Sequence, residues 1–476
     1  MNLIEDHWGS IYFTAEWAIR LAMVVAVPFR RSPEAARSWL LLLFFLPIPG
    51  LVLYLLIGRP RFPKWRRQRF AGLPRDGIAA DAIAGGERAF PAEIAPDRGA
   101  IALLARNLGH LPPVGGNAVE VIADYDGFVD RLCTAIDGAR HHVHLLVYIF
   151  ADDAVGRRVI AALARARARD VACRVMVDAF GSRPWAKGVL SALHAAGVDA
   201  IEALPIAPLG RHGARRDLRN HRKLIVIDGA SGFIGSQNIV AADFKPGVRN
   251  EELVAAVAGP VVASLQAVFL ADWYLETERN LAEPALFPPA ASAGHASAQL
   301  LPSGPDYPVS GSERLTVELV YAARRRVVLT TPYFIPDEGL IEALQSAVLR
   351  GVEVSLVVSL VQDQWLVGLA QRSFYADLLE SGVRIFQYRD RLLHAKHVVV
   401  DDDIASIGSS NVDIRSFTLN AEANLLVYGA EQLHALEPIL DRYRAGSIEL
   451  TAEGWRHRPF QRKIAENVAR LISPLL

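Results

Sequence analysis

This chain has little cysteine and no net charge, and each of these shortages excludes a class of protein. Two cysteines in 476 residues exclude a fold that several disulfide bonds hold together. Lysine plus arginine and aspartate plus glutamate both total 51, so there is no overall positive field to attract nucleic acid. With 51% hydrophobic and 21% charged residues, the chain is also too apolar to be disordered or fibrous. The sequence therefore describes a folded protein that is not built to bind nucleic acid.

Residues 1–70 differ from the rest of the chain in charge and in hydrophobicity. They contain ten basic and four acidic residues, and a run of 19 residues without a charge, Trp39–Ile57. A run of that length can just cross the apolar core of a bilayer. Because Pro47 and Pro49 interrupt it, a kinked or re-entrant helix is as good an interpretation as a straight one.

A weaker apolar stretch precedes this run, and basic residues follow it. The weaker stretch, Trp8–Phe29, contains Glu16 and Arg20, which are four residues apart and can pair on one helical face. Whether it spans a membrane is left open by the sequence. The basic residues after the run favour the cytoplasmic side of a membrane; they are Arg59, Arg61, Lys64, Arg66, Arg67 and Arg69. We expect residues 1–70 to form a membrane anchor of two helical segments.

The remaining residues divide into a linker and a repeated body. Residues 71–118 are rich in alanine, glycine and proline and predict a linker with one helix near residues 100–108. Strand-like apolar runs then alternate with alanine-rich helical patterns, which favours an α/β fold whose sheet is covered by helices on both faces. The pattern occurs twice, so we expect two similar lobes, 119–290 and 291–450, followed by a C-terminal helix, 451–476.

Each lobe carries the same polar motif within an apolar strand. The first copy consists of His221, Lys223, Asp228, Ser236 and Asn238. The second copy consists of His394, Lys396, Asp401, Ser409 and Asn411. The histidine and the asparagine are 17 residues apart in both copies. This duplication is too specific to be a coincidence of composition.

The residue types in the motif suit a phosphodiester. In an extended strand the histidine and the lysine two residues on share a face, so they project together. The serine and asparagine would join them on the next strand and bind substrate, while lysine and asparagine would bind the nonbridging phosphate oxygens. We include Asp228 and Asp401 in the catalytic motif, although their odd spacing predicts that they face away from the histidine and order a turn.

Two copies of the motif predict two histidines at one site. One imidazole can attack phosphorus while the other protonates the departing alkoxide and later acts as a base. No group of His, Cys, Asp or Glu has convincing metal-ligand spacing, and the two lysines supply positive charge. We therefore expect no metal and no cofactor.

Each histidine also needs a partner that fixes its tautomer. Glu252 follows the first motif and Glu422 follows the second, each at the start of an apolar strand. We interpret them as the carboxylates that orient the histidine of their own half. Glu251 is an alternative to Glu252, and strand ends in solvent are the alternative to any catalytic role.

The duplicated motif and several flanking segments resemble the phospholipase D superfamily, and specifically its bacterial cardiolipin synthase branch. The similar segments include YIFADDAVG, TTPYFIPDEGL, LHAKHVVVD and GSSNVDIRSFTLNAEANLLVY. The resemblance covers nearly the whole chain. It implies two phospholipase D-type lobes, mixed sheets flanked by helices, related by pseudo-twofold symmetry. It also implies a multi-pass protein of the bacterial inner membrane with its catalytic body on the cytoplasmic side.

The activity implied by this resemblance is transfer of a phosphatidyl group from one phosphatidylglycerol to another, which gives cardiolipin and glycerol. His221 would become the phosphohistidine and His394 the general acid, although the pseudosymmetry leaves this order open. Phospholipids and the membrane are the expected partners, nucleic acid is not, and a homo-oligomer is compatible with the sequence. A hydrolase that uses water, or a transferase with another lipid or alcohol as acceptor, would need the same residues.

Three further features each allow two interpretations. A basic run near the first motif suits either a solvated loop or the steering of lipid headgroups; its members are Arg211, Arg215, Arg216, Arg219 and Arg222. Trp365 and its apolar neighbours fit core packing better than contact with a membrane. The basic C-terminal stretch, residues 455–476, is either an interfacial helix or a packed terminal one.

Overall fold

The computed structural model describes residues 2–31, 33–58, 62–73, 77–206, 217–281 and 283–472. Helices precede the sheet: α1 (Asn2–Ala26), α2 (Pro33–Phe45), α3 (Pro47–Ile57), α4 (Lys64–Ala71), α5 (Ile78–Ala89) and α6 (Gly99–Gly109). Within the predicted linker, α6 covers the one helix that the sequence indicates and α5 is an additional helix. Arg59 and Arg61 of the predicted basic cluster lie outside the described residues.

The first three helices pack against one another. Their shared apolar core consists of Met23, Val27, Ala36, Trp39, Leu43 and Tyr54. Glu16 and Arg20 pair at 3.2 Å, as their spacing predicts. The uncharged run is divided between two helices, because Leu46 leaves the helical conformation (φ −131°, ψ 70°) just before Pro47 begins α3. In the part of the chain that the structure describes, no helix combines the length and the apolar character needed to cross a membrane.

The first lobe alternates strands and helices. Its elements are β1 (Val114–Ile122), α7 (Tyr125–Gly138), β2 (His142–Val147), α8 (Ala154–Arg167), β3 (Ala172–Asp178), α9 (Ala186–Ala195), β4 (Asp199–Ala203), β5 (Arg219–Asn220), β6 (Leu224–Ile227), β7 (Ser231–Gly235), β8 (Asn250–Glu251), β9 (Val254–Ala258) and α10 (Val262–Thr277).

The second lobe follows this order with additional short elements between the shared ones, and it adds further elements at its end. Its first elements are β10 (Ala296–Ser303), α11 (Gly311–Ala322), β11 (Arg326–Thr331), β12 (Phe334–Ile335), α12 (Glu338–Leu349), β13 (Glu353–Ser359), α13 (Trp365–Ser373), α14 (Tyr375–Ser381), β14 (Arg384–Tyr388), β15 (Leu392–Leu393) and β16 (His397–Val400). They are followed by β17 (Ile404–Gly408), β18 (Val412–Asp413), α15 (Ile414–Thr418), β19 (Asn420–Tyr428), α16 (Ala430–Leu433), α17 (Glu437–Ala445), β20 (Ser447–Leu450), α18 (Ala452–Arg456) and α19 (Phe460–Ile472).

The two lobes share one continuous mixed sheet, which has 16 strands over the described residues. Its main order is β4-β3-β2-β6-β7-β9-β1-β10-β19-β17-β16-β11-β13-β14-β20. The order is the same outward from β1 and from β10, apart from the additional edge strand β20, and these two central strands pair antiparallel. In each half three strands run parallel, β2, β3 and β4 or β11, β13 and β14. The α/β fold with two similar halves is therefore confirmed, and the halves are joined edge to edge.

Helices cover both faces of this sheet. On one face α10 packs through Leu265, Phe269 and Trp273 in a core that also includes strands of the second lobe. Within β2, Leu146 points into that shared core, whereas its neighbour Leu145 belongs to a core of the first lobe on the other face. Burial on both faces explains why the strands are almost continuously apolar.

Helix α4 attaches the N-terminal segment to both lobes. Its Arg66 is fully buried and bonds to Glu276 of α10 and, at 3.2 Å, to Asp306 in the loop before α11. The predicted C-terminal helix is two helices in the structure, α18 and α19.

Candidate active site

The two motif histidines line one cleft between the lobes. His221 lies between β5 and β6, and His394 lies between β15 and β16. The cleft has a volume of about 980 Å³ and is also lined by Asn238 and Asn411. The structure therefore brings the histidine and the asparagine of both motif copies to a single site.

Each histidine is held by a glutamate of the opposite lobe. His394 Nδ1 lies 2.7 Å from Oε1 of Glu252, and His221 Nδ1 lies 3.0 and 3.1 Å from the two carboxylate oxygens of Glu422. Both glutamates are buried. The expectation that each glutamate serves the histidine of its own half is therefore wrong, and the site is complete only when the two lobes are together.

Short strands that pair across the lobes explain this exchange. β8 runs parallel to β15, and β5 runs parallel to β19. In these pairs the backbone N–H of His394 donates to the carbonyl of Glu251 (2.7 Å), and that of His221 donates to the carbonyl of Ala421 (2.9 Å). The next residue along each strand, Glu252 or Glu422, is thereby placed beside the imidazole of the other lobe.

Glu251 does not orient a histidine. Its carboxylate accepts hydrogen bonds from Arg391 (2.9 Å) and Arg442 (2.8 Å) of the second lobe. Alternation along an extended chain turns Glu251 away from the imidazole that Glu252 contacts. This geometry selects Glu252 from the two alternatives.

The motif serines bond to the strands that carry the glutamates and do not face the cleft. Ser236 and Ser409 are fully buried, and neither lines the cleft. The Ser409 hydroxyl donates to Glu422 at 2.5 Å, and the Ser236 hydroxyl donates to the carbonyl of Leu253, the residue after Glu252, at 3.2 Å. The prediction that these serines bind substrate is therefore wrong, because the Ser409 hydroxyl holds a carboxylate that orients a histidine and the Ser236 hydroxyl holds the backbone of the strand that carries the other carboxylate.

The glycine before each serine is needed for close strand packing. A Cβ at Gly235 would clash with the carbonyl oxygen of Leu253, and one at Gly408 would clash with that of Ala423. The adjacent strand that carries the glutamate therefore passes too near for a side chain, which explains the Gly-Ser pair in both copies.

The two lysines lie behind the histidines. Lys223 Nζ donates to the carbonyl of His221 (2.7 Å), and Lys396 Nζ donates to that of His394 (2.6 Å). Both side chains are buried, and neither is among the residues that line the cleft. Burial lowers the pKa of Lys223 to about 7 and that of Lys396 to about 8. The negative charges of Glu252 and Glu422 act in the opposite direction and raise both pKa values.

Burial also favours the neutral form of both imidazoles. It lowers the pKa of His221 to about 4, although the charge of Glu422 acts in the opposite direction. Burial lowers the pKa of His394 as well, and Lys396 and Lys223 add to this effect. A neutral imidazole with its Nδ1–H on a carboxylate has an unprotonated Nε2, which is the form needed for nucleophilic attack.

The motif aspartates are structural and lie outside the cleft lining. Asp228 accepts hydrogen bonds from three successive backbone N–H groups, at residues 140–142, over 2.8–2.9 Å. Asp401 does the same with residues 324–326, over 2.7–2.9 Å. Both adopt the left-handed conformation (φ 55° and 49°) at the turn after the motif strand. The prediction that these aspartates are catalytic is therefore wrong. They join the end of the motif strand to the start of the adjacent strand, β2 or β11.

Several cleft residues were missed by the sequence analysis. The rings of Tyr148 and Tyr333 lie edge-on to the two histidine rings, at centroid distances of 4.9 and 6.5 Å. Asn250 and Asn420 also line the cleft, two residues before the orienting glutamates. The paired Tyr residues in YIFAD and YFIPD and the shared Asn-x-Glu spacing were the signals that could have revealed them.

The basic run near the first motif does not form a solvated loop where it is described. Arg219 is buried and lines the cleft, and its Nη1 donates to the carbonyl of Leu204 (3.0 Å). Arg222 is buried behind the site, where it donates to Asp272 at 2.5 Å and to the carbonyl of Glu422 at 3.0 Å. The other members of the run, Arg211, Arg215 and Arg216, lie outside the described residues.

The arrangement can bind an anionic phosphodiester and exchange its ester group. Two imidazoles supply a nucleophile and a proton donor, and buried ammonium groups lie directly behind them. In the part of the chain that the structure describes, no group of three or more His, Cys, Asp and Glu side chains could hold a metal ion. The fold and the site thus define an enzyme of phosphodiester transfer built from two lobes and two histidines.

Comparisons with known proteins agree with this class. A family model described as "Cardiolipin synthase, PLD-like domain" matches residues 132–273 and 317–444, more than half of the chain. A second, "Phospholipase_D-nuclease N-terminal", matches residues 18–59. Cardiolipin synthase A of Pectobacterium carotovorum is 33% identical over 457 residues, which cover 94% of each chain. Cardiolipin synthase A of Cronobacter sakazakii is 32% identical over 489 residues, 98% of this chain and 100% of that one.

A solved structure shares the fold. Phosphatidylserine synthase of Haemophilus influenzae has a TM-score of 0.61 and 15% identity, and the match covers 79% of this chain and 100% of that one. The family model and the full-length relatives show that the chain belongs to the phospholipase D-like cardiolipin synthase family.

Proposed function

We propose that this protein is a cardiolipin synthase that transfers a phosphatidyl group from one phosphatidylglycerol to another and releases glycerol. The observation that carries the proposal is that two imidazoles, each with Nδ1 on a buried glutamate of the opposite lobe, face one cleft. The full-length similarity to cardiolipin synthase A proteins supports the choice of substrate.

In the first step, Nε2 of His221 attacks the phosphorus of the donor lipid. A phosphorus–nitrogen bond forms, and the bond from phosphorus to the glycerol headgroup oxygen breaks. The protonated imidazole of His394 gives its proton to that oxygen, so glycerol leaves as a neutral alcohol. Binding of the anionic phosphodiester favours the protonated form of His394, because it places a negative charge beside a group whose pKa burial lowers.

In the second step, neutral His394 takes the proton from a headgroup hydroxyl of a second phosphatidylglycerol. The resulting oxygen attacks phosphorus, the phosphorus–nitrogen bond breaks, and His221 is restored. The two steps together convert two molecules of phosphatidylglycerol into one cardiolipin and one glycerol. Each histidine ends in its initial protonation state, so the cycle needs no other reactant.

The surrounding groups support these steps through charge and position. Asn238 and Asn411 lie in the cleft wall, where their amides can donate to the nonbridging oxygens. Lys223 and Lys396 lie behind the histidines and act through their positive charge. The negative charge of the phosphoryl group stabilises these buried ammonium groups. Apolar residues of the cleft wall suit the glyceride part of a lipid; they include Phe180, Trp185, Phe244, Ile335, Trp365 and Ile414.

We further propose that α1–α3 attach the enzyme to the membrane and that the catalytic body lies on the cytoplasmic side. Large apolar side chains are exposed on these helices, including Phe13, Leu21, Val25, Phe45 and Leu55. Exposed apolar side chains in this number favour contact with lipid. In this organisation residues 1–70 are the anchor and 119–290 and 291–450 the two catalytic lobes, and the central strand β1 already begins at Val114, inside the predicted linker 71–118.

Product analysis tests the proposed activity. The purified full chain is reconstituted with phosphatidylglycerol alone, and lipids and free glycerol are quantified by mass spectrometry over time. We expect cardiolipin and glycerol in equal amounts, and neither product with His221→Ala. Phosphatidic acid as the main product would instead identify a hydrolase. No product from phosphatidylglycerol, with products appearing only after another alcohol or lipid is added, would overturn the proposed acceptor.

A further inference from the structure

The last helix, α19, exposes a stripe of large apolar side chains. Phe460, Ile464, Val468 and Leu471 are 73%, 49%, 54% and 59% exposed. Their spacing of four, four and three residues places them along one face of the helix. Single exposed apolar residues are common on protein surfaces, but a stripe along a whole helix marks a surface that is covered in the working protein.

The charged residues that α19 places next to the stripe are positive. Glu466 is the one acidic residue in the sequence of α19, and it is buried and bonded to Arg458 at 2.9 Å. Lys463 and Arg470 are half-buried beside the stripe, and Arg470 also pairs with Asp377 of α14 at 3.3 Å. Arg462 is exposed on the other side of the helix, because a spacing of two residues turns a helix by about 200°. The exposed face of α19 is therefore apolar, with basic side chains along one flank. That combination is complementary to a bilayer surface that contains anionic phospholipids.

The position of α19 connects this surface to the cleft. α19 packs against α13, and the first residues of α13, Trp365, Leu366 and Val367, line the cleft. Trp365 is 75% exposed, although an isolated tryptophan would be expected to pack inside the protein. Tryptophan is the side chain that most favours the interface between membrane and water.

We propose that α19 and Trp365 form a membrane-contact surface that holds the mouth of the active-site cleft against an anionic bilayer. Phe460, Ile464, Val468 and Leu471 insert among the lipids, and the basic side chains beside them contact the phosphates. A lipid headgroup then reaches the histidines while its acyl chains stay in the bilayer. The identity of that lipid as a substrate rests on the proposed function, whereas the contact surface itself does not.

Spin labelling tests where α19 lies. A nitroxide is placed at Ile464→Cys in the full chain, with Cys133→Ser and Cys173→Ser, and the protein is reconstituted in nanodiscs that contain phosphatidylglycerol. Ala161→Cys on the exposed face of α8 is the control position in the other lobe. We expect the label at 464 to collide with oxygen more than with a water-soluble nickel chelate, and the label at 161 to show the reverse. Equal exposure of both labels to the nickel chelate would overturn the proposal.

Two further measurements separate the alternatives. The first measurement repeats the labelling with one protein copy per nanodisc. If the label at 464 then becomes accessible to the nickel chelate, a second copy and not the bilayer covers α19, and the proposal is overturned. With Ile464→Glu and Val468→Glu combined, we expect the rate on phosphatidylglycerol vesicles to fall about tenfold. The rate on a short-chain, monomeric phosphatidylglycerol should stay within about twofold of the unmodified chain, and an equal fall on both substrates would contradict the proposal. The unmodified chain, assayed in parallel, reports separately on the proposed activity.

Discussion

The exchange of glutamates between the lobes makes a specific prediction for Glu252→Gln. The substitution keeps the shape of the side chain but removes the charge that lies 2.7 Å from Nδ1 of His394. Opposite charges about 4 Å apart interact by about 4 kcal/mol at an effective dielectric constant of roughly 20. This corresponds to about three pKa units for the imidazolium, and hence to a loss of roughly 10³ in a step that needs its proton. We therefore expect kcat on phosphatidylglycerol to fall about 10³-fold.

The leaving group reports which histidine is affected. A phosphatidyl ester of nitrophenol needs no proton on its departing oxygen, so its cleavage by Glu252→Gln should fall by less than about tenfold. Glu422→Gln should impair both substrates, because Glu422 holds the nucleophile His221. Glu251→Gln is the matched control, since it makes the same chemical change one residue away at a carboxylate paired with Arg391 and Arg442. Equal falls in kcat for Glu251→Gln and Glu252→Gln would refute the reasoning. So would an equally large fall for Glu252→Gln on the nitrophenyl ester and on phosphatidylglycerol.

Three further predictions concern the buried serine Ser409, the two lysines behind the histidines, and Arg66 of α4. Ser409→Ala should lower kcat about tenfold with little change in KM, because its hydroxyl holds a glutamate and not the substrate; a rise in KM alone would contradict this. In a pH–rate profile, kcat/KM should fall as pH rises above about 7–8, because Lys223 and Lys396, with pKa values of about 7 and about 8, lose their charge there; a constant value up to pH 9.5 would contradict it. Arg66→Ala should reduce the free energy of unfolding by about 3–5 kcal/mol, because two buried carboxylates lose their guanidinium partner; an unchanged thermal midpoint would exclude this role.

Local spacing was sufficient to predict the core of the site. The duplicated His-x-Lys motif, the Gly-Ser-x-Asn segment and the α/β alternation depend on residues that are near in sequence and share a strand or a turn. The position of Asp228, turned away from His221, also followed from the alternation of side chains along a strand. These features could be predicted because each follows from one element considered alone.

The assignment of partners could not be predicted in the same way. His221 and Glu422 are 201 residues apart, and His394 and Glu252 are 142 residues apart, so their pairing depends on how the lobes meet. Within each half, the glutamate follows its own histidine closely enough to suggest the wrong pair. The role of Ser409 was hidden for a related reason, because its partner lies on a neighbouring strand.

The apolar N-terminal run shows that composition alone does not predict where a helix breaks. Trp39–Ile57 is uncharged and long enough for a single span, yet the residue before Pro47 cannot continue a helix, and two shorter helices result. The proline was visible in the sequence, but whether it kinks or breaks a helix depends on the packing of α1–α3 around it.

Trapping the covalent intermediate is the most direct test of the central claim, that two histidines from two lobes act on one phosphorus. The full chain is mixed with phosphatidylglycerol, quenched within milliseconds to seconds, digested and analysed by mass spectrometry under conditions that preserve phosphohistidine. We predict a phosphatidyl group on His221, none on His394, and none in His221→Ala. A modified His394 with an unmodified His221, or cardiolipin formation at an unchanged rate in either histidine variant, would contradict the account.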